Sequence, residues 1–286
     1  TYNVHGGKNS RETYDLYDQI FKTGFTFDNS ISISSGGPNG SVLFSIADLN
    51  QDGIVLKNSN YRRTSAMINA STRLNDQWKM SGSARYVSTR SNRIQMGSNL
   101  NGLYLGGLRN PADFNMEDYE GTYFDPGGAI FDGVQRSYRN SIGALSDPNA
   151  SQRQSGYGYD NPLFMMRNSP SENVVNRTLG KLQLEYEPLA WLNLTARGGW
   201  DHYDDVRSDF YHHYSSGSNS QGRYVTENIT STQLNFDLIA RMTFDLTDDI
   251  RMPVLLGANI NDRTFNTDAS DVRGFTNRLS PPQSIN

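Results

Sequence analysis

Asp48, Asn50 and Asp52 precede Gly53 with the opening spacing of an EF-hand calcium loop, D-x-N-x-D-G. Oxygens at every second position can surround a hard cation. The twelfth position, where a bidentate glutamate is needed, is Ser59, and no helical pattern flanks the segment. It reads as a surface turn, and no metal is expected. His202, His212 and His213 stand near Asp204, Asp205 and Asp209. On a strand, the adjacent pair His212 and His213 would point to opposite faces, which argues against joint ligation. The long segment 94–174 holds a different chemistry. Its aromatic residues Tyr104, Tyr119, Tyr123, Phe124, Tyr138, Tyr157 and Tyr159 alternate with Asp113, Glu117, Asp118, Asp125 and Asp132. Aromatic faces stack on sugar rings or apolar peptide side chains, and carboxylates accept hydrogen bonds from hydroxyls and amides. Tyr104, Asp113, Tyr119, Tyr123, Phe124, Tyr157 and Tyr159 are the candidate substrate-binding set. The competing reading is a loop that packs its own aromatics. A glycosidase would need two of the acids at a fixed separation, which loop spacing does not supply. No Ser/His/Asp order or phosphate-binding glycine loop is convincing, so no enzyme activity and no cofactor are expected.

The elements that must position these residues are strands. Leu234, Phe236, Leu238, Ala240, Met242, Phe244 and Leu246 alternate with mostly polar neighbours, among them Asn235, Asp237, Arg241, Thr243 and Asp245. A sustained period of two marks a strand with one apolar face. The same cadence appears from about Phe25 to Ser34, from Ser41, from Tyr61 to Leu74, from Trp78, and around Leu182, Leu192 and Met252. Short turns at 36–40, 75–77, 187–190 and 247–249 alternate with longer connections at 48–60, 94–174 and 208–224, and a loop-like tail follows strand eight. All short turns therefore fall on one side, as in a transmembrane β-barrel. Trp78 and Trp191 open strands after short turns, where an interfacial aromatic girdle belongs.

Composition agrees. Only 35% of residues are hydrophobic and mean hydropathy is -0.66, yet 11% are aromatic, which is unlike a disordered chain. A barrel needs apolar residues only at alternate strand positions. A net charge of -4 gives no footprint for nucleic acid, and the absence of cysteine excludes disulfides and thiolate metal sites. No apolar run is long enough for a helical membrane span. Arg73, Arg85, Lys181, Glu185, Arg197, Asp201, Asp237 and Arg241 fall on the lumen-facing positions. Their mixed sign argues against a pore selective for one charge.

Several short motifs stand in a telling order: Phe21-Lys22-Thr23-Gly24, Ser32-Ile33-Ser34-Ser35-Gly36-Gly37, Asn50-Gln51-Asp52-Gly53-Ile54, Asn60-Tyr61-Arg62-Arg63 and Asn75-Asp76-Gln77-Trp78. Asp160-Asn161-Pro162-Leu163, Asn176-Arg177 and Pro188-Leu189-Ala190-Trp191-Leu192 follow. Their order and spacing over most of 12–265 resemble the SusC/RagA-like family of TonB-dependent outer-membrane transporters of Bacteroidota. The resemblance implies an all-β, antiparallel transmembrane barrel of 22 strands with a plug, of which about eight strands are readable here. It makes 1–22 a lead-in after a plug and 23–286 the N-terminal part of the barrel, with 94–174 as a long extracellular loop. It also implies import of oligosaccharide or peptide nutrients across the cell outer membrane, with a SusD-like lipoprotein, the TonB complex and outer-membrane lipids as partners. A self-closing barrel of about eight strands is the lesser structural alternative. A soluble extracellular β-rich glycan-binding module is the functional one.

Overall fold

The computed structural model describes residues 13–94, 100–124, 130–137, 159–219 and 221–274. A short helix α1 (Leu16–Ile20) leads into β1 (Thr26–Gly37), β2 (Gly40–Asp52), β3 (Asn60–Arg73) and β4 (Trp78–Arg93). Then come α2 (Leu103–Leu108), a hairpin of β5 (Glu120–Phe124) and β6 (Ile130–Gln135), and α3 (Pro162–Asn168). The chain returns through β7 (Ser171–Leu189), β8 (Leu192–Tyr211), β9 (Arg223–Thr247) and β10 (Ile250–Arg273). The large strands form one antiparallel eight-stranded sheet in the order β1-β2-β3-β4-β7-β8-β9-β10. Among the described residues β1 and β10 do not pair, so the sheet is an open wall and not the self-closing barrel of about eight strands weighed above.

Register turns the sequence alternation into two continuous faces. Ile33, Phe44, Ile68, Ala84, Gly180, Trp200 and Leu234 form one row across the strands, and the next row on that face holds Val42, Ala70, Gly82, Leu182, Gly198 and Phe236. This apolar face is uncovered: Ile33 is 64% exposed, Leu182 59% and Ile260 68%. The band crosses the sheet on a slope. Phe44 is the centre of the apolar run on β2, but its row meets β9 at Leu234, the upper end of a run centred on Ala240. The slip is about six residues, roughly 20 Å along the strands, over five strand spacings, roughly 24 Å across them. That slope corresponds to a tilt of about 40°, the tilt of outer-membrane barrel strands.

Aromatic pairs mark the short-turn end of the band. Trp78 stacks on Tyr186 with ring centroids 4.1 Å apart, and Trp191 leans on Phe244 at 5.4 Å. Asn75 shapes one of the short turns, its side-chain oxygen accepting from the backbone N–H of Gln77 and of Trp78, both at 2.9 Å.

The strands run further than the alternation suggests. β2 continues to Asp52, β7 starts at Ser171, β8 reaches Tyr211, and β10 extends to Arg273 through a segment expected to be a loop-like tail. The 25 residues of β9 rise roughly 60 Å at this tilt, well beyond a ~25 Å apolar band. Above the band apolar residues such as Val206, Val225, Ile229 and Phe265 are scattered without a period of two, so the ladder persists while the sequence signal disappears. The apolar band also makes a direct prediction. Ala240→Arg, at the centre of the apolar run, should cost about 2–4 kcal/mol of folding stability in lipid, whereas Gln233→Arg on the polar face of the same strand should be near neutral. Reversible folding of the full-length protein into lipid vesicles measures both; equal costs would mean that this face does not meet lipid.

Candidate functional site

At the long-loop end, segments distant in sequence fold into a cap with a core of its own. Ile20, Val55, Leu103, Phe114, Met116, Leu163 and Met166 are buried together there. Helix α1 crosses α2 at Gly107, where an added Cβ would lie 2.7 Å from Ile20 Cδ1 and 2.8 Å from Leu16 Cδ1. Only glycine allows that approach without displacing side chains. The lead-in residues therefore pack at the same end as the long insertion, and the backbone N–H of Tyr14 donates to the carbonyl of Ala112 at 2.8 Å.

A buried carboxylate ties the cap together. Asp160 Oδ1 accepts from Gln135 Nε2 at 2.6 Å and from the Ser216 backbone N–H at 2.8 Å, and Oδ2 accepts from Asn101 Nδ2. Burial pushes the Asp160 carboxyl above the ordinary carboxylate range, and these donors oppose the shift. Gln135 also donates to the Tyr214 carbonyl, and its own oxygen accepts from the Asn161 N–H at 3.1 Å. Asn161 caps α3 by accepting from the Leu163 N–H at 2.9 Å, with Pro162 opening the helix. Its side-chain amide donates to the carbonyls of Met116 (3.0 Å) and Arg136 (2.8 Å). The Asp-Asn-Pro run thus joins the hairpin, α2, α3 and the 212–219 loop.

The substrate-binding candidates fall into distinct environments. Tyr104 is exposed on α2 and Asp113 is half-buried just after it. Tyr119 packs on the cap core, its hydroxyl accepting from Arg167 Nη1 at 2.8 Å while the guanidinium lies over its ring. Tyr159 is buried, and its hydroxyl bonds to the Arg109 carbonyl (2.9 Å) and to Asn110 Oδ1 (3.1 Å), so this ring packs the cap instead of facing solvent. Tyr123 and Phe124 lie on β5. Tyr157 lies outside the described residues, as does Tyr138.

His212 and His213 sit beyond the end of β8, not on it. Their rings are therefore neighbours, 4.3 Å apart, instead of pointing to opposite faces. His212 Nδ1 accepts from the Tyr214 N–H at 3.3 Å, which requires a neutral ring nitrogen there. Phe164 meets its ring edge-on at 5.1 Å. Burial lowers the His212 pKa from 6.5 to about 4. Among the described residues no group of three or more His, Asp or Glu is placed to hold a metal. The calcium-like residues lie not in a turn but along β2, facing the apolar side above the band. There Asp48 accepts from Arg62 Nε (3.2 Å) and Thr64 Oγ1 (2.5 Å), and Asp52 pairs with Lys22 at 3.6 Å.

The polar face of the sheet carries the lumen-facing candidates. Arg197 donates to Asp237 at 2.8 Å, Arg177 grips Asp201 with two bonds of 2.8 and 2.5 Å, and Arg207 bridges Asp205 (2.7 Å) and Glu227 (3.0 Å). Arg73, Arg85 and Arg241 share this face. On β1 to β4 the same face is mostly small hydroxyl and amide side chains, with Ser32 bonded to Ser45 at 2.8 Å and Ser41 to Ser71 at 2.9 Å.

No family model matches the chain. It is 25% identical over 211 residues to the TonB-dependent receptor SusC of Bacteroides thetaiotaomicron, an alignment that covers 73% of this chain and 20% of that protein. Its fold is similar to a structure of the RagAB peptide importer in the "open-open" state, with a TM-score of 0.70 and 18% identity over 95% of this chain and 28% of that one. The "closed-closed" state gives 0.68 and 17% over 96% and 30%. The chain thus spans between a fifth and a third of the length of these relatives.

Two expectations follow for the cap. Asp160→Asn turns an acceptor into a donor facing donors and should cost about 2–3 kcal/mol of cap stability. Limited proteolysis should then cut within the cap while the sheet still folds; unchanged resistance would refute a structural role for the carboxylate. Acidification should act through His212. Because its folded pKa lies below 6.5, the unfolded segment takes up the proton first. Stability is therefore full above pH 6.5 and falls by about 3 kcal/mol as the pH drops to 4. Hydrogen exchange of α3 amides should show that slope in the wild type and a flatter one in His212→Gln.

Proposed function

We infer that this chain, a SusC/RagA-like segment of an outer-membrane β-barrel, belongs to a TonB-dependent importer of oligosaccharide or peptide nutrients. The observation that carries the reading is the uncovered apolar band, which slopes across eight strands opposite a polar face. In water such a band would leave hundreds of Å² of contiguous apolar surface exposed, at ~25 cal/mol per Å². A soluble module would cover it with a second sheet. Besides the wall, the described residues hold only the two-stranded β5–β6 sheet. Lipid is the partner that fits.

The likeness to SusC, a TonB-dependent receptor, supports energy supply through TonB, and the RagAB importer's peptide cargo supports peptides as one of the two substrate classes. A SusD-like surface lipoprotein is the expected lid on the long-loop side, where the cap stands. Tyr104, Asp113, Tyr119, Tyr123, Phe124, Tyr157 and Tyr159 are the residues of this chain that the sequence offers to cargo there, and of these Tyr104 is exposed.

The test is fractionation of the native protein expressed from its own locus, followed by uptake. The outer membrane should hold a heat-modifiable species several times heavier than 32.1 kDa, co-purifying with a lipoprotein. Uptake of labelled oligosaccharide or peptide should stop when the proton-motive force is dissipated. A soluble species near 32.1 kDa would refute the barrel, and uptake that survives the uncoupler would refute TonB coupling.

A further inference from the structure

Charges on the polar face are sorted by strand. The polar-face positions of β3 and β4 hold Arg63, Arg73, Lys79, Arg85 and Arg93 and no acid. On β7 to β10, by contrast, most arginines of this face grip acids, as Arg177, Arg197, Arg207, Arg223 and Arg251 do. The sign is therefore mixed over the whole wall but not along β3 and β4.

Like charges are also set side by side. Arg73 is the direct cross-strand partner of Lys79. Arg85 opposes Leu179 and Ser83 opposes Lys181, which makes Arg85 and Lys181 diagonal neighbours, within reach of long side chains. Like charges so placed repel unless an anion lies between them. Lys79 has Glu185 at 3.9 Å, but among the described residues no acid forms an ion pair with Arg85 or Lys181. Both border a trough of about 480 Å³ on the polar face, with the amides of Asn69 and Asn235, the hydroxyl of Ser83 and the bare backbone of Gly199. Asp201, the acid that borders the trough, is committed to Arg177.

We propose that this trough is a carboxylate-binding site, with Arg85 and Lys181 as its cationic pair and Asn69 and Asn235 as neutral donors. Guanidinium and ammonium groups bind carboxylates by charge-assisted hydrogen bonds, and a concave wall with a surplus of one sign of charge concentrates counter-ions. The site rests on the barrel reading, which makes this face the lumen. Its carboxylates come from an acidic solute in transit or from a segment of the same polypeptide seated in the lumen.

The experiment uses the full-length protein in detergent and compares wild type, Arg85→Gln/Lys181→Gln and the charge-conserving Arg85→Lys/Lys181→Arg. Binding of fluorescent hexaglutamate and hexaglutamine is followed by anisotropy, and thermal unfolding is recorded in parallel. A solute site predicts at least tenfold tighter binding of hexaglutamate by wild type, lost in the Gln variant and largely kept in the charge-conserving one. A site filled by the protein's own carboxylates predicts no peptide preference, but an unfolding temperature several degrees lower in the Gln variant alone. With no anion present, neutralising two repelling cations leaves that temperature unchanged or raises it. That result, together with equal peptide binding, overturns the proposal. Outer-membrane fractionation of wild type separates the two failures: a protein absent from the membrane refutes the barrel, whereas an inserted protein showing neither effect refutes the site alone.

Discussion

A backbone amide in hydrocarbon has no water to bond, so every strand in this wall must satisfy its neighbours. That constraint demands an unbroken ladder, and the register of the ladder fixes everything that faces lipid or lumen. A slip of one residue between β8 and β9 would exchange Phe236 and Leu238 with Asn235 and Asp237, burying a charge in the membrane and wetting the band. The ion pairs on the other face depend on the same alignment. Arg197 reaches Asp237 because the two are direct cross-strand partners. Lipid on one side and charge pairing on the other thus select one register twice over.

The two faces were legible in the sequence wherever they differ in polarity. β9 was readable from Leu234 to Leu246 because lipid demands an apolar side chain at each second position there. The long-loop half of β10, from Asp262 to Arg273, was not. Beyond the bilayer, water meets both faces, and nothing in Thr264, Asn266 or Asp268 distinguishes a strand from a loop. The ladder continues there for reasons that lie in the partner strand, since each residue from Asp262 to Arg273 is aligned with β9. The residues resembling a calcium loop were misleading for the same cause. Asp48, Asn50 and Asp52 alternate with Leu49 and Gln51 because they are strand residues above the band, where Asp48 accepts from Arg62 and Thr64.

The cap was only partly legible. The aromatic content of 94–174 predicts either a binding surface or a loop that packs itself, and the described residues of that segment differ in exposure. Tyr159 closes hydrogen bonds inside the cap, while Tyr104 stands exposed. Asp160-Asn161-Pro162 carried more than a family motif, because asparagine followed by proline also marks a helix start, and α3 begins there. The role of the aspartate beside them was hidden, because Asn101, Gln135 and Ser216 are brought to it only by the fold. His212 and His213 were misplaced by the assumption of a strand, which ends one residue before them.

Wall and cap are held together by different physics, and that separates their tolerance to change. The wall has almost no interior of its own; its strands are stabilised by ladder hydrogen bonds and by lipid against one face. The cap is built as a soluble domain is, around Ile20, Leu163 and Phe164, with a satisfied polar centre at Asp160. A change of cap sequence therefore leaves the ladder intact as long as β4 and β7 still meet in register. The cap's exposed rim can vary above a wall whose requirements do not, because the polar centre at Asp160 holds the cap's interior fixed.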